Sequence, residues 1–169
     1  MMQARTLIPA LLALVLTSAA ALAQTPALIG QHSAWATYSY GGAKGKVCYA
    51  LSKPTKLAPS DRNHGDVFFF VSNRPGENVD NEPSVIVGYS FKEQSSVSVD
   101  VDGQKFTMFT KKDGAWMANP AEERKLVSAM KAGREMVVSG VSARGTQTTY
   151  TYSLSGVTAA IGSADSSCK

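Results

Sequence analysis

Two cysteines and two histidines are the residues of this 169-residue chain best equipped for chemistry. Cys48 stands in GKVCYALSKP and Cys168 in SSCK, one residue from the end. Chain ends fray unless something ties them down. A Cys48–Cys168 bridge would do so, closing a loop of about 120 residues worth roughly 4–5 kcal/mol in the chain-entropy account. Two free thiols, or a bond to a partner, are the alternatives. His32 lies near the expected mature N-terminus. His64 sits in SDRNHGDV with Asp61, Asn63 and Asp66. A hydrolase acting on envelope polymers would have to draw on His64 and Asp66, but their spacing, with Gly65 between them, is that of a polar turn. No H-E-x-x-H, zinc-type cysteine spacing, G-x-S-x-G elbow, P-loop or dinucleotide fingerprint is present. The sequence therefore assigns no catalytic residue, no metal and no cofactor.

Three places suit binding instead. The loop RPGENVDNEP carries Glu77, Asp80 and Glu82 with Asn78 and Asn81, an oxygen-rich set suited to calcium or a sugar if the side chains converge. A solvated loop is the ordinary reading. Arg144, in SARGT, sits on a tight turn, where its planar fork either bonds neighbouring carbonyls, the favoured reading, or anchors an anion or carboxylate. Trp116, in DGAWM, is either a contact residue for a sugar or partner or, as tryptophans more often are, part of the core. Trp35 reads as strand core.

The elements that position these residues are mostly strands. Short β-branched or aromatic runs at 34–40, 46–52, 66–73 and 84–91 are bounded by turn residues. Val97, Val99 and Val101 alternate with polar residues, Asp102-Gly103 makes a two-residue hairpin turn, and Phe106 and Met108 lie on the return strand. Strands at 134–143 and 146–154 flank Arg144-Gly145. One helix is expected over about 120–132, with Asn119 as N-cap, Pro120 at the first position and Gly133 as the closing cap. Leu126, Val127, Ala129 and Met130 form its apolar face. Residues 155–164 suit a short helical turn. The fold class is mainly β: an antiparallel sandwich or partly open barrel of roughly eight strands with one packed helix.

The N-terminus reads as an export signal. Arg5 precedes an apolar run from Leu7 to Leu16, and Ala21-Leu22-Ala23 supplies a small-residue cleavage site. An uncleaved N-terminal anchor is the other reading. Residues 1–23 are thus expected to be removed, leaving residues 24–169 as one domain in an oxidising compartment that favours the disulfide. The formal net charge is +4. Its lysines are scattered, which argues against nucleic acid and leaves room for peripheral attraction to an anionic membrane.

The motifs CYA, GYSF, DGAW, LVSAMKAG and SARGTQTTYTYSLSG, in this order and followed by a terminal cysteine, resemble the invasion-associated locus B (IalB-like) family of alphaproteobacterial exported proteins. The likeness runs over nearly the whole mature chain. It implies a periplasmic, outer-membrane-associated or secreted protein linked by its family name to host-cell invasion. The reading that follows is a non-enzymatic factor binding an envelope or host-surface protein or glycan. A periplasmic ligand-binding or chaperone-like module is the alternative.

Overall fold

A computed structural model describes residues 25–169; the expected signal peptide lies outside the described residues. Among these, eleven antiparallel strands form one open sheet. In chain order they are β1 Ala27–His32, β2 Trp35–Gly42, β3 Gly45–Ser52, β4 Lys56–Ala58, β5 Phe68–Arg74, β6 Val79–Ile86, β7 Ser96–Val101, β8 Gln104–Lys111, β9 Gly114–Trp116, β10 Glu135–Val141 and β11 Gln147–Ser153. In the sheet the order is β1-β2-β3-β5-β6-β9-β8-β7-β10-β11-β4. Two α-helices, α1 Pro120–Ala132 and α2 Val157–Ser167, and a single 3-10 turn over Pro75–Glu77 complete the fold.

The sheet folds over on itself, because strands remote in its order meet through their inward side chains. Phe69 of β5 packs edge-on to Tyr152 of β11 at 5.8 Å. The Trp35 indole N–H donates to the Ser153 carbonyl at 2.9 Å. Trp35 is fully buried, as its strand pattern predicts. Val97, Val99 and Val101 all point into the same core, and Asp102-Gly103 turns with both φ angles positive (46° and 95°), the geometry a primed hairpin requires.

Helix α1 follows its sequence signals closely. The Asn119 side chain accepts from the amides of Ala121 and Glu122 at 3.1 and 3.0 Å. The expected apolar set, Leu126, Val127, Ala129 and Met130, is buried. Gly133 differs from expectation in its reason. Its backbone is extended (φ −87°) rather than left-handed; glycine is needed there because a Cβ would stand 2.6 Å from Val101 Cγ1 and 3.0 Å from Leu154 Cδ1.

The expectation of roughly eight strands and one helix is corrected to eleven and two. Strands β4 and β9 have only three residues each, too short for periodicity to register, and β1 is largely exposed. Strand β6 begins at Val79, inside the stretch expected to be a loop, and ends at Ile86. Pro83 fits there because β9 pairs only with Ser84, Val85 and Ile86, so the missing N–H falls beyond the end of that ladder. Helix α2 is longer than the expected turn. It has no side-chain cap, but Val157, Ala160, Ile161 and Ala164 recur at helical spacing and are buried. Cys48 and Cys168 are bonded, with Cα atoms 5.8 Å apart, which pins the end of α2 to β3.

Candidate functional site

Three loops, distant in sequence, meet at one end of the folded sheet and enclose a cleft of about 790 Å³. Asp61, Arg62 and His64 come from the segment before β5, Tyr89 from the loop after β6, and Ser142 and Arg144 from the β10–β11 turn. Backbone contacts hold the loops together. The Gly88 amide donates to the His64 carbonyl at 3.2 Å, and the Ala143 amide to the Ser90 carbonyl at 2.8 Å. A Cβ on Gly65 would lie 2.8 Å from Gly88 Cα. Two glycines therefore face each other where the first two loops touch, and no other residue type allows that approach.

His64 is not an exposed turn residue. It is 7 % exposed, while the polar turn around it forms as expected, with the Gly65 amide donating to Asn63 Oδ1 at 2.9 Å. The Nε2–H donates to the Pro59 carbonyl at 2.9 Å, an acceptor only. Nδ1 lies 2.9 Å from the Tyr150 hydroxyl. The Tyr150 hydroxyl also lies 2.8 Å from the Tyr89 hydroxyl, Tyr89 lies 2.7 Å from Thr148 Oγ1, and Thr148 donates to the Gly140 carbonyl at 3.2 Å. This buried relay forms the floor of the cleft. Both His64 nitrogens are engaged within it, so neither is left to act as a base on a ligand. Burial, reinforced by the hydrogen bond with Tyr89, pushes the Tyr150 phenol well above its ordinary range. Ser142 Oγ accepts from the Thr146 amide at 3.1 Å and shapes the turn.

Arg144 stands exposed at the tip of that turn, where Gly145 takes a φ of 83°. Among the described residues its guanidinium has neither a hydrogen bond nor an ion pair, so the expected bonds to nearby carbonyls are not made. Arg62 has only a loose ion pair of 3.8 Å with exposed Asp61. The cleft thus presents two guanidinium groups with hydroxyl-bearing side chains around them.

The acidic loop lies elsewhere and does not converge on a cation. Glu77 Oε2 accepts from Arg74 Nε at 2.9 Å, and Glu77 pairs with Lys44 at 3.3 Å. Lys44 and Arg74 together hold its carboxyl below the usual range. Arg74 Nη2 reaches both oxygens of Glu82, at 3.1 and 3.0 Å. Asp80 accepts from the Asn81 amide group at 3.2 Å. Among the described residues no group of three or more His, Cys, Asp or Glu is placed to hold a metal. Asp80 and Glu82 instead line a groove of about 640 Å³ against α1. There burial, with the charge of Glu82, raises the Glu123 carboxyl.

Trp116 departs from its core reading. It is half-buried and faces outward on β9, tilted against Phe109 at 6.1 Å. Its ring occupies the space where Gly114 lacks a side chain. Sequence reasoning missed Tyr89 and Tyr150 as parts of the cleft floor. The alternation in TQTTYTYSL marks Tyr150 as inward, but its pairing with His64 spans 86 positions.

The fold and its cleft define a β-rich scaffold whose loops present the two guanidinium groups of the cleft over a floor of strand residues. The chain belongs to the invasion associated locus B (IalB) protein family, whose model matches residues 35–165. The crystal structure of invasion associated protein B from Bartonella henselae is similar in fold, with a TM-score of 0.57 at 15% identity over 81% of this chain and 95% of that one. No curated protein matches the sequence.

Proposed function

We propose that the chain is an exported, non-enzymatic binding factor of the bacterial envelope or cell exterior, and that the cleft takes an anionic, hydroxyl-rich group such as the carboxylate of an acidic glycan. One observation carries this reading: Arg144 faces the cleft unpaired, while His64 is committed on both nitrogens to the fold. A guanidinium fork matches a carboxylate, and the surrounding hydroxyls suit a sugar better than an apolar ligand. Export is supported by the residue pattern of positions 1–23 and by a disulfide, which persists in oxidising compartments. The link to host contact comes from the family name and from the name of the Bartonella protein.

The test is titration of the mature chain with uronate- and sialate-terminated oligosaccharides, with neutral ones as controls. Binding of an acidic probe, weakened about tenfold or more by Arg144→Ala with thermal stability unchanged, is the expected result. Equal affinity of the variant, or no preference for the acidic sugars, would refute the assignment. Location is tested by protease accessibility on intact cells beside a periplasmic marker. Digestion with the marker intact places the protein outside and favours a host-contact role; protection until the outer membrane is breached makes it a periplasmic component.

A further inference from the structure

Directly opposed residues of paired strands share one face of a sheet. The pairing registers therefore trace the outward face. One row runs Leu28, Tyr38, Tyr49 across β1, β2 and β3. A second runs Leu51, Phe70, Ser84, Trp116, Phe109 across β3, β5, β6, β9 and β8. A third begins at Phe68 opposite Ile86 and ends at Lys111 opposite Gly114. The rings touch: Tyr38 stacks on Tyr49 at 5.5 Å, Tyr49 meets Phe70 at 5.6 Å, and Phe70 meets Phe68 at 5.9 Å. None of the apolar side chains named here belongs to the core, and of the polar ones Ser84 is buried beneath the rings at 7 % exposure. Leu28 is 59% and Phe109 49% exposed, and Tyr38, Tyr49, Phe68, Phe70, Ile86 and Trp116 are each partly exposed. A continuous apolar face of this extent marks an interaction surface.

Its charges select the partner. Lys53 lies over the Phe68 ring at 5.1 Å, and Lys111 is exposed at the end of the third row. Glu82, the carboxylate opposite Ser72 on this face, is neutralised by Arg74. A face of tyrosines, a tryptophan and phenylalanines with unneutralised lysines is complementary to a layer that is apolar within and anionic at its surface. Amphipathic aromatic rings settle at headgroup depth, and lysines near anionic lipid add attraction. A second copy docked face to face would offer these lysines no free carboxylate from Glu82, which Arg74 already holds. We infer that the outward face of β1–β2–β3–β5–β6–β9–β8 is a docking surface for an anionic phospholipid bilayer, separate from the Arg144 cleft.

The two tryptophans make the test direct. Trp35 is fully buried, so any change in emission on binding comes from Trp116. The mature chain is mixed with phosphatidylglycerol vesicles, with phosphatidylcholine vesicles, and with vesicles carrying bromine on the acyl chains. Expected are co-flotation with the anionic vesicles, a blue shift, and bromine quenching that Trp116→Phe abolishes while flotation persists. Lys53→Ser with Lys111→Ser should lower partitioning by about fivefold for each lysine removed, with an unchanged circular dichroism spectrum. Arg144→Ala should float like the parent, which keeps the outcome independent of the cleft. No flotation and no blue shift at low salt would overturn the inference. So would equal binding to neutral vesicles, an emission shift produced by soluble acidic glycan without vesicles, or self-association that buries Trp116 without lipid.

Discussion

Tyr152→Phe should stabilise this protein, which is not the usual consequence of altering a fully buried residue. The Tyr152 ring is 0 % exposed and packs edge-on to Phe69, a contact that phenylalanine retains. Its hydroxyl is buried without a hydrogen-bond partner among the described residues. Such a group forgoes its bonds to water on folding and costs about 1–3 kcal/mol. Deleting it should return about 1 kcal/mol after allowance for the small void, raising Tm by about 2–4 °C. Tyr150→Phe is the contrast. It leaves His64 Nδ1 without its partner and should cost about 1–3 kcal/mol.

A second readout comes from alkali. Burial raises the Tyr152 phenol, helped by nearby Tyr89, and burial likewise raises Tyr150. Between the unfolded value near 10 and the higher folded values, the unfolded chain has released protons that the folded chain retains. Stability is therefore whole below about pH 10 and falls above it, by about 1.4 kcal/mol per pH unit for each of the two groups. Chemical denaturation at a series of alkaline pH values measures that slope. Tyr152→Phe should remove its own share, about 1.4 kcal/mol per pH unit. If the variant melts several degrees lower and keeps the full slope, the hydroxyl has a partner and the reasoning fails.

Three further substitutions test the scaffold. Cys168→Ser opens the long loop between β3 and the tail and should cost about 4–5 kcal/mol; a reductant should lower the parent's Tm to match, by on the order of 10 °C. Gly133→Ala, although its φ of −87° suits any residue, drives a Cβ against Val101 and Leu154 and should cost about 1–3 kcal/mol in denaturant titration. Asn119→Ala removes the acceptor of two amide bonds at the start of α1 and should cost about 1 kcal/mol.

What could be read before the structure was local. The Val97–Val101 alternation with Asp102-Gly103, and the Asn119-Pro120 start of α1, are decided within a few residues, and the structure keeps both. The tail bridge was legible because only two cysteines exist and the N-terminus reads as export. What escaped was decided by distant partners. Strand β4 is a strand because Thr149, Tyr150 and Thr151 lie beside it. Trp116 faces outward because Gly114 gives it a bed. Glu77 and Glu82 look like cation ligands in sequence because Arg74, the last residue of β5, is not visible as their common partner. Helix α2 was legible only as a short turn over 155–164; the spacing of Val157, Ala160, Ile161 and Ala164 carries it on to Ser167.

The division of labour within the fold bears on how specificity can vary among family members. Inward positions are bound by packing: Trp35, Phe69, Tyr150 and Tyr152 each contact strands remote in the sheet or loops beneath it. The tip of the β10–β11 turn carries no such constraint, because its shape rests on backbone bonds and on Ser142, while the Arg144 side chain contributes to none of them. A change at Arg144 should alter what the cleft holds without altering the cleft. Changes at Gly65 or Gly88 should do the opposite, since a side chain there forces the loops apart. Arg144→Glu with an unchanged Tm and inverted charge preference would thus separate ligand choice from scaffold, whereas Gly88→Ala should weaken binding of every ligand together with stability.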